Sequence, residues 1–269
     1  MFARRIVATG CASLLLAAVM LASTAASTGA DPAFQNVREK YAIVVIDDFG
    51  NNGRGTKEMM ELPFHLTVAV MPFLPTTKRD AEQAYRVGHD VIVHLPMEPF
   101  SGRKTWLGPG VVSTDLSEEE IRKRVHAAID DVPHAIGINN HMGSKATTDP
   151  RVMRIVLDVC KERGLFFLDS HTSYHSIVAK VANEMGVPSI ENHLFLDNRR
   201  TKPFMRKQFE TMRSHLNAHT PCIAIGHVGA GGVIMAEVLR EQYEIMKKND
   251  ITFLKISDLL LYKDPTKHL

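Results

Sequence analysis

Asp47 and Asp48 stand side by side at the end of "IVVIDDFG", residues 43–50, where four aliphatic residues run into two carboxylates and a glycine. Neighbours in a strand point to opposite faces, so adjacent aspartates share one site only where the chain is leaving the sheet. A strand tip meets that condition: Gly50 can take the positive φ of a turn, and two carboxylates can be aimed into one cavity. Alone, the pair reads more simply as an ordinary strand-to-loop turn, because Asp is a good turn former. The other strand candidates decide between these readings. Their C-terminal ends carry His94, then Asn140 with His141, Asp169 with His171, Asp197, and His227. Any one of these has a structural explanation. Their recurrence at six tips points to a site, because in a parallel α/β sheet or barrel all such tips lie on the face where active sites are built.

Carboxylates and imidazoles from separate strands, with no cysteine among them, form the ligand set expected for zinc or a similar divalent ion in an open catalytic site. One aspartate can bind the ion while the other acts as base toward water, and a histidine from the opposite side can protonate a leaving group. That is the layout of a hydrolase. The remaining histidines, among them His193, His215 and His219, are expected at the surface or as satisfied core residues.

The elements that must position these groups follow from the pattern. "YAIVVID", "LTVAVM", "DVIVH", "AIGINN", "LFFLD", "PSIENHLFLD", "CIAIGH" and "ITFLKI" read as strands. Between them, "SEEEIRKRVHAAIDDV" opens with Ser117 and Glu120 as a capping box, and "DPRVMRIVLDVCKERG" has Asp149 at the cap, Pro150 at the first helical position and Gly164 at the stop. Aliphatic runs alternating with helices of this length predict parallel strands joined by right-handed crossovers, an α/β fold for which barrel-like closure is plausible. The one long irregular stretch, residues 96–116, leaves the strand that ends in His94 and carries the single tryptophan, Trp106, whose flat face suits stacking on a sugar ring.

Composition narrows the setting. Arg4 and Arg5 precede an apolar stretch that fades into small residues, so residues 1–30 read as a secretory signal, with an uncleaved anchor as the alternative. The whole chain has 32 Lys+Arg against 30 Asp+Glu, and the signal removes two arginines and no acid, which leaves the remainder neutral. A neutral chain gives no support to a nucleic-acid partner or, after cleavage, a membrane one. Export is then expected to place the protein across the inner membrane, in a periplasmic compartment. Only Cys160 and Cys222 remain; a disulfide between them is open, Cys160 is expected as a buried thiol, and there is no Cys-x-x-Cys zinc motif. The organisation expected is a signal over 1–30, a linker over 31–40, one domain over 41–262 and a tail over 263–269.

The strings "VVIDDFG", "GHDVIVHLPMEP", "GINNHMGSKATTD", "FFLDSHTS", "FLDN" and "IAIGHVG" resemble the NodB-like polysaccharide deacetylase superfamily, and most closely its divergent polysaccharide deacetylase branch. The resemblance implies an irregular (β/α) barrel, a metal at the strand C-termini, and hydrolysis of N-acetyl groups on an amino-sugar polysaccharide or peptidoglycan. It implies Asp47 as base, Asp48 and His94 as metal ligands, and His227 as acid. Glu98 stands where typical members have a second metal histidine and is an alternative ligand, while His141 is an additional imidazole that can complete the triad. Asp169 falls where a catalytic, substrate-site or histidine-orienting aspartate is expected. Asn140, Trp106, His171 and Asp197 are candidates for substrate contact. Two other readings stay open: a barrel that binds glycan or an envelope-remodelling partner without catalysis, and metal-dependent hydrolysis of an ester or peptide bond.

Overall fold

The computed structural model describes residues 39–263. The signal, most of the linker and nearly all of the tail expected from the sequence lie outside the described residues. Within them, no helix is long and apolar enough to cross a membrane.

Nine strands form one sheet: β1 (Lys40–Phe49), β2 (Thr67–Val70), β3 (Asp90–Met97), β4 (Ala135–Met142), β5 (Phe166–Asp169), β6 (Ser189–Glu191), β7 (Leu194–Phe195), β8 (Cys222–His227) and β9 (Ile251–Leu254). Eight helices run between and after them: α1 (Thr56–Met60), α2 (Thr77–Arg86), α3 (Glu118–Asp131), α4 (Pro150–Glu162), α5 (Val178–Met185), α6 (Lys202–Leu216), α7 (Gly232–Lys247) and α8 (Ile256–Lys263). The strand order is β6-β5-β4-β3-β2-β1-β8-β7, with β9 also on β1, and every pairing is parallel. The sheet curls into an incompletely closed α/β barrel, as expected. "PSIENHLFLD" forms two strands instead of one. β6 and β7 lie at opposite edges, and the Asn192–His193 link spans the seam by donating to the Asp169 carbonyl on one side and the Ile223 carbonyl on the other.

Two apolar layers hold the sheet. Inside the barrel pack Ile43, Val45, Ile92, Leu168, Ile223 and Ile225; outside, Ala42, Val44, Ile46, Val93 and Ala224 meet the helices. The alternation along β1 and β8 is the period of two that a sheet covered on both faces requires. The helix ends follow their predicted chemistry: Ser117 Oγ accepts the Glu120 N–H at 3.2 Å, and Asp149 accepts from Arg151 and Val152. Gly164 ends α4 at φ 69°.

Two irregularities place the polar residues. On β1, Ile46 pairs with Val68 but Phe49 with Val70, so three steps on β1 oppose two on β2. This bulge inserts one residue, and Asp48 takes φ 70°, a left-handed conformation that Asp tolerates better than most residues. Asp47 therefore faces the interior by normal alternation and Asp48 is turned toward the same cavity, while Phe49 returns to the outer layer. On β4 the register shifts between Val91 and Val93 of β3, which pair with Ala135 and Ile138. Gly137 sits in that shift; a Cβ there would lie 2.4 Å from the Phe166 ring, so the position has no room for a side chain.

Candidate metal centre and active site

Asp48, His94 and His141 bring one ligand atom each into a single cluster, from the tips of β1, β3 and β4. Asp48 Oδ1 lies 3.3 Å from His94 Nε2 and 3.2 Å from His141 Nδ1, and the two nitrogens are 3.0 Å apart. The outward nitrogens are committed. His94 Nδ1 is 2.8 Å from Asn139 Oδ1, and Asn139 is oriented because its Nδ2 donates to Asp47 at 2.9 Å. His141 Nε2 is 2.9 Å from the Trp106 carbonyl. Both outward partners are acceptors, so each neutral ring carries its proton outward and presents a bare lone pair inward. Two lone pairs and a carboxylate oxygen thus face one another with no hydrogen between them, an arrangement that calls for a cation. Ligand atoms bound at zinc distances in a tetrahedron are about 3.3 Å apart, close to the spacing here. The residues present fit a divalent metal.

The electrostatics agree. Burial opposes a charge on His94, yet Asp47 and Asp48 overcome it and raise the imidazole pKa, so in the metal-free chain the cluster draws positive charge. Burial also works against the Asp48 carboxylate, but in the metal-free chain the His141 and His94 imidazoles, once protonated, hold its pKa well below the ordinary value. Asp47, almost wholly buried, is pushed upward by desolvation. Beside it in register on β8, His227 has Nδ1 2.9 Å from Asp197 Oδ1, and its backbone N–H also donates to Asp197. Burial lowers the His227 pKa, but Asp197 and the two site aspartates raise it to about 9. A cleft of about 490 Å³ opens over this end, lined by Asp48, Asp197, Asn198, Arg200 and His227 among others.

Several sequence expectations need correction. Asp169 is buried but bonds the His171 N–H and Ser176 hydroxyl instead of a site residue. Leu168 faces the interior, so Asp169 follows the opposite face of β5 and braces the loop beyond it. The aspartate that hydrogen-bonds His227 is Asp197, which the sequence placed at the substrate. Asn140 also faces away: its side chain bonds Met142 O, Ser170 N and, at 3.4 Å, Thr172. Asn139, two residues before His141 and so on its face, is the neighbour bonded to His94 and Asp47 that sequence reasoning missed; alternation counted back from His141 would have found it. Glu98 is not in the cluster. Its carboxylate accepts from Thr114 N–H and hydroxyl at 2.7 Å and from Lys145 Nζ at 2.8 Å, tying residues 98–116 to the barrel. Trp106 contributes its carbonyl to His141 and is 58% exposed, with the Arg103 guanidinium 5.4 Å from its ring centroid. His171 stands at the rim at φ 56°. Cys160 and Cys222 are both buried and free.

Glu98→Ala is therefore expected to retain the metal of this cluster and lower stability by roughly 1–2 kcal/mol, the scale of two or three partly exposed hydrogen bonds lost. Metal content and thermal melting measured together check this; loss of the metal with unchanged melting would restore Glu98 as a ligand.

A family model described as divergent polysaccharide deacetylase matches residues 44–260, which contain every residue of this site. The chain belongs to the divergent polysaccharide deacetylase family. Among its relatives, an uncharacterized protein of Haemophilus influenzae is 36% identical over 201 residues, covering 75% of this chain and 71% of that one. YibQ of Escherichia coli, also uncharacterized, is 35% identical over 217 residues, 81% of this chain but only 66% of that protein. The fold is similar to an uncharacterized protein of Agrobacterium tumefaciens C58 (TM-score 0.75, 19% identity, 84% of this chain and 91% of that one). It is also similar to the Xyl-CE4 domain of a multidomain xylanase from a Trinervitermes trinervoides hindgut metagenome (TM-score 0.51, 14% identity, 85% and 93%). At such identities these likenesses show that this divergent deacetylase family member has the deacetylase fold.

Proposed function

We propose that the protein is a metal-dependent deacetylase that removes N-acetyl groups from an amino-sugar glycan of the bacterial envelope. The observation that carries this reading is the inward-facing acceptor triad of Asp48, His94 and His141, flanked by a buried carboxylate and a protonated imidazole. A divalent ion such as zinc, held by those three residues, would supply Lewis-acid polarisation of an amide carbonyl and acidify water. Asp47, raised by burial and held by Asn139, accepts the proton of the attacking water. His227, kept protonated by Asp197, delivers a proton to the departing amine. The cleft matches the volume of ordinary small-ligand sites, and the exposed Trp106 ring offers a face to a neighbouring sugar. The signal-like residues 1–30 favour export to the periplasm, where such glycans occur.

The test is acetate release by the purified, zinc-loaded protein from N-acetylglucosamine oligomers and from peptidoglycan fragments. Release that stops on chelation and returns with zinc is the expected result. Glycan binding with no acetate released from either substrate would assign the barrel to binding alone.

The pH dependence has a definite sign. His227 must be protonated to act as acid, so kcat/KM should fall as pH rises through about 9. Asp197→Asn removes the largest contribution that raises the pKa and should move this alkaline limb toward the ordinary histidine value. An unmoved limb would remove His227 from the acid role.

A further inference from the structure

A second group of ligating side chains lies at the opposite end of the strands. Cys222 opens β8, His193 stands in the link between β6 and β7, and His215 is in the last turn of α6. One ligand atom from each lies within 4.8 Å of the others. His219 follows by one helical turn: its N–H donates to the His215 carbonyl at 2.8 Å, and the two ring centroids are 5.2 Å apart. The centroids of His193 and His215 are 4.9 Å apart. The three imidazoles line one cleft of about 570 Å³. In sequence the group is compact, since "HLNAHTPC" places His215, His219 and Cys222 within eight residues.

His193 and His219 are exposed, as the sequence suggests, but His215 is not a satisfied residue. His215 Nε2 is buried and has no hydrogen-bond partner, a condition native chains seldom leave uncompensated. His193 Nδ1 accepts the Ile223 N–H at 3.0 Å, so His193 would trade that bond for an ion. We infer that His193, His215, His219 and Cys222 form a second metal site, separate from the catalytic cluster, for a thiophilic cation of the Zn²⁺ type. Imidazoles with one thiolate are a soft donor set that suits such an ion, and four protein ligands make the closed coordination of a structural site. Binding converts the Cys222 thiol to thiolate and releases its proton to solvent, which a bound cation drives. The ion would fasten the end of α6 to β8 beside the seam of the barrel.

Sulfur distinguishes the two sites, because the catalytic cluster has none. The metal-free full-length chain is titrated with Co²⁺ and its thiolate-to-cobalt charge-transfer absorption recorded, and bound Zn²⁺ is counted after equilibrium dialysis. The band is expected in the wild type and in His141→Ala, and absent in Cys222→Ser. His215→Ala should lose the band and one zinc per chain while keeping the other. His193→Ala and His219→Ala, at exposed positions where folding is not at risk, should each weaken Zn²⁺ at this site by roughly tenfold or more. A wild-type chain without the band, or a band that survives Cys222→Ser, overturns the inference.

Discussion

His141→Ala is expected to lose one zinc per chain and acetate release together. His141 Nδ1 lies within 3.2 Å of both Asp48 Oδ1 and His94 Nε2, so its removal leaves two ligands from the chain. No nearby group can replace it: Glu98, the candidate closest in sequence to His94, is held by Lys145 and Thr114. Removing an outer partner of a metal ligand weakens binding by about 10–100-fold, and removing the ligand itself should exceed that. Zinc content read alongside the cobalt spectrum isolates the loss to this site. If His141→Ala binds zinc here as tightly as the wild type, the triad is wrong. Folding should survive, because the side chain is at the rim of the barrel, partly exposed, and bonds only to Trp106 O and the cluster.

Asp47→Asn should have the opposite pattern, with zinc kept and turnover lost. Asparagine preserves the shape, and its amide oxygen can still accept from Asn139 Nδ2, so the orientation of His94 persists. What disappears is the group able to take a proton from water. Such losses typically cost about 10²–10⁴ in rate, expressed in kcat with KM little changed. Thermal stability should not fall, since the substitution removes a buried charge whose desolvation already disfavours it. Equal losses of zinc and kcat would instead make Asp47 a ligand.

The fold was legible because parallel strands buried on both faces read as aliphatic runs, and their polar tips fall on one face. That pattern picked out Asp47, Asp48, His94, His141 and His227, which the structure gathers at one end of the barrel. The errors share a cause: tip position fixes the height of a residue in the barrel, and alternation fixes its face. Asn140 and Asp169 have the right height and the wrong face, and the shift in β4 that sets the face of Asn139 and His141 has no obvious mark except Gly137. Glu98 could not be placed from sequence because its partner Lys145 is 47 residues away. Asp197 was found but its role was not, because the bond to His227 depends on two strands meeting at the sheet edge.

The bulge in β1 bears on how this barrel can change over generations. Without Asp48, Asp47 would stand opposite Ala69 between the existing Ile46–Val68 and Phe49–Val70 pairs, and every core side chain would keep its face. The strand would become more regular, and a residue held at φ 70° would be gone. The β1–β2 pairing therefore offers no resistance to deleting this residue: one lost codon would leave the ladder regular and the cluster without its carboxylate. If the proposed hydrolysis is this barrel's activity, descendants that bind without catalysis should be recognisable by a β1 one residue shorter, before any change in the surrounding core.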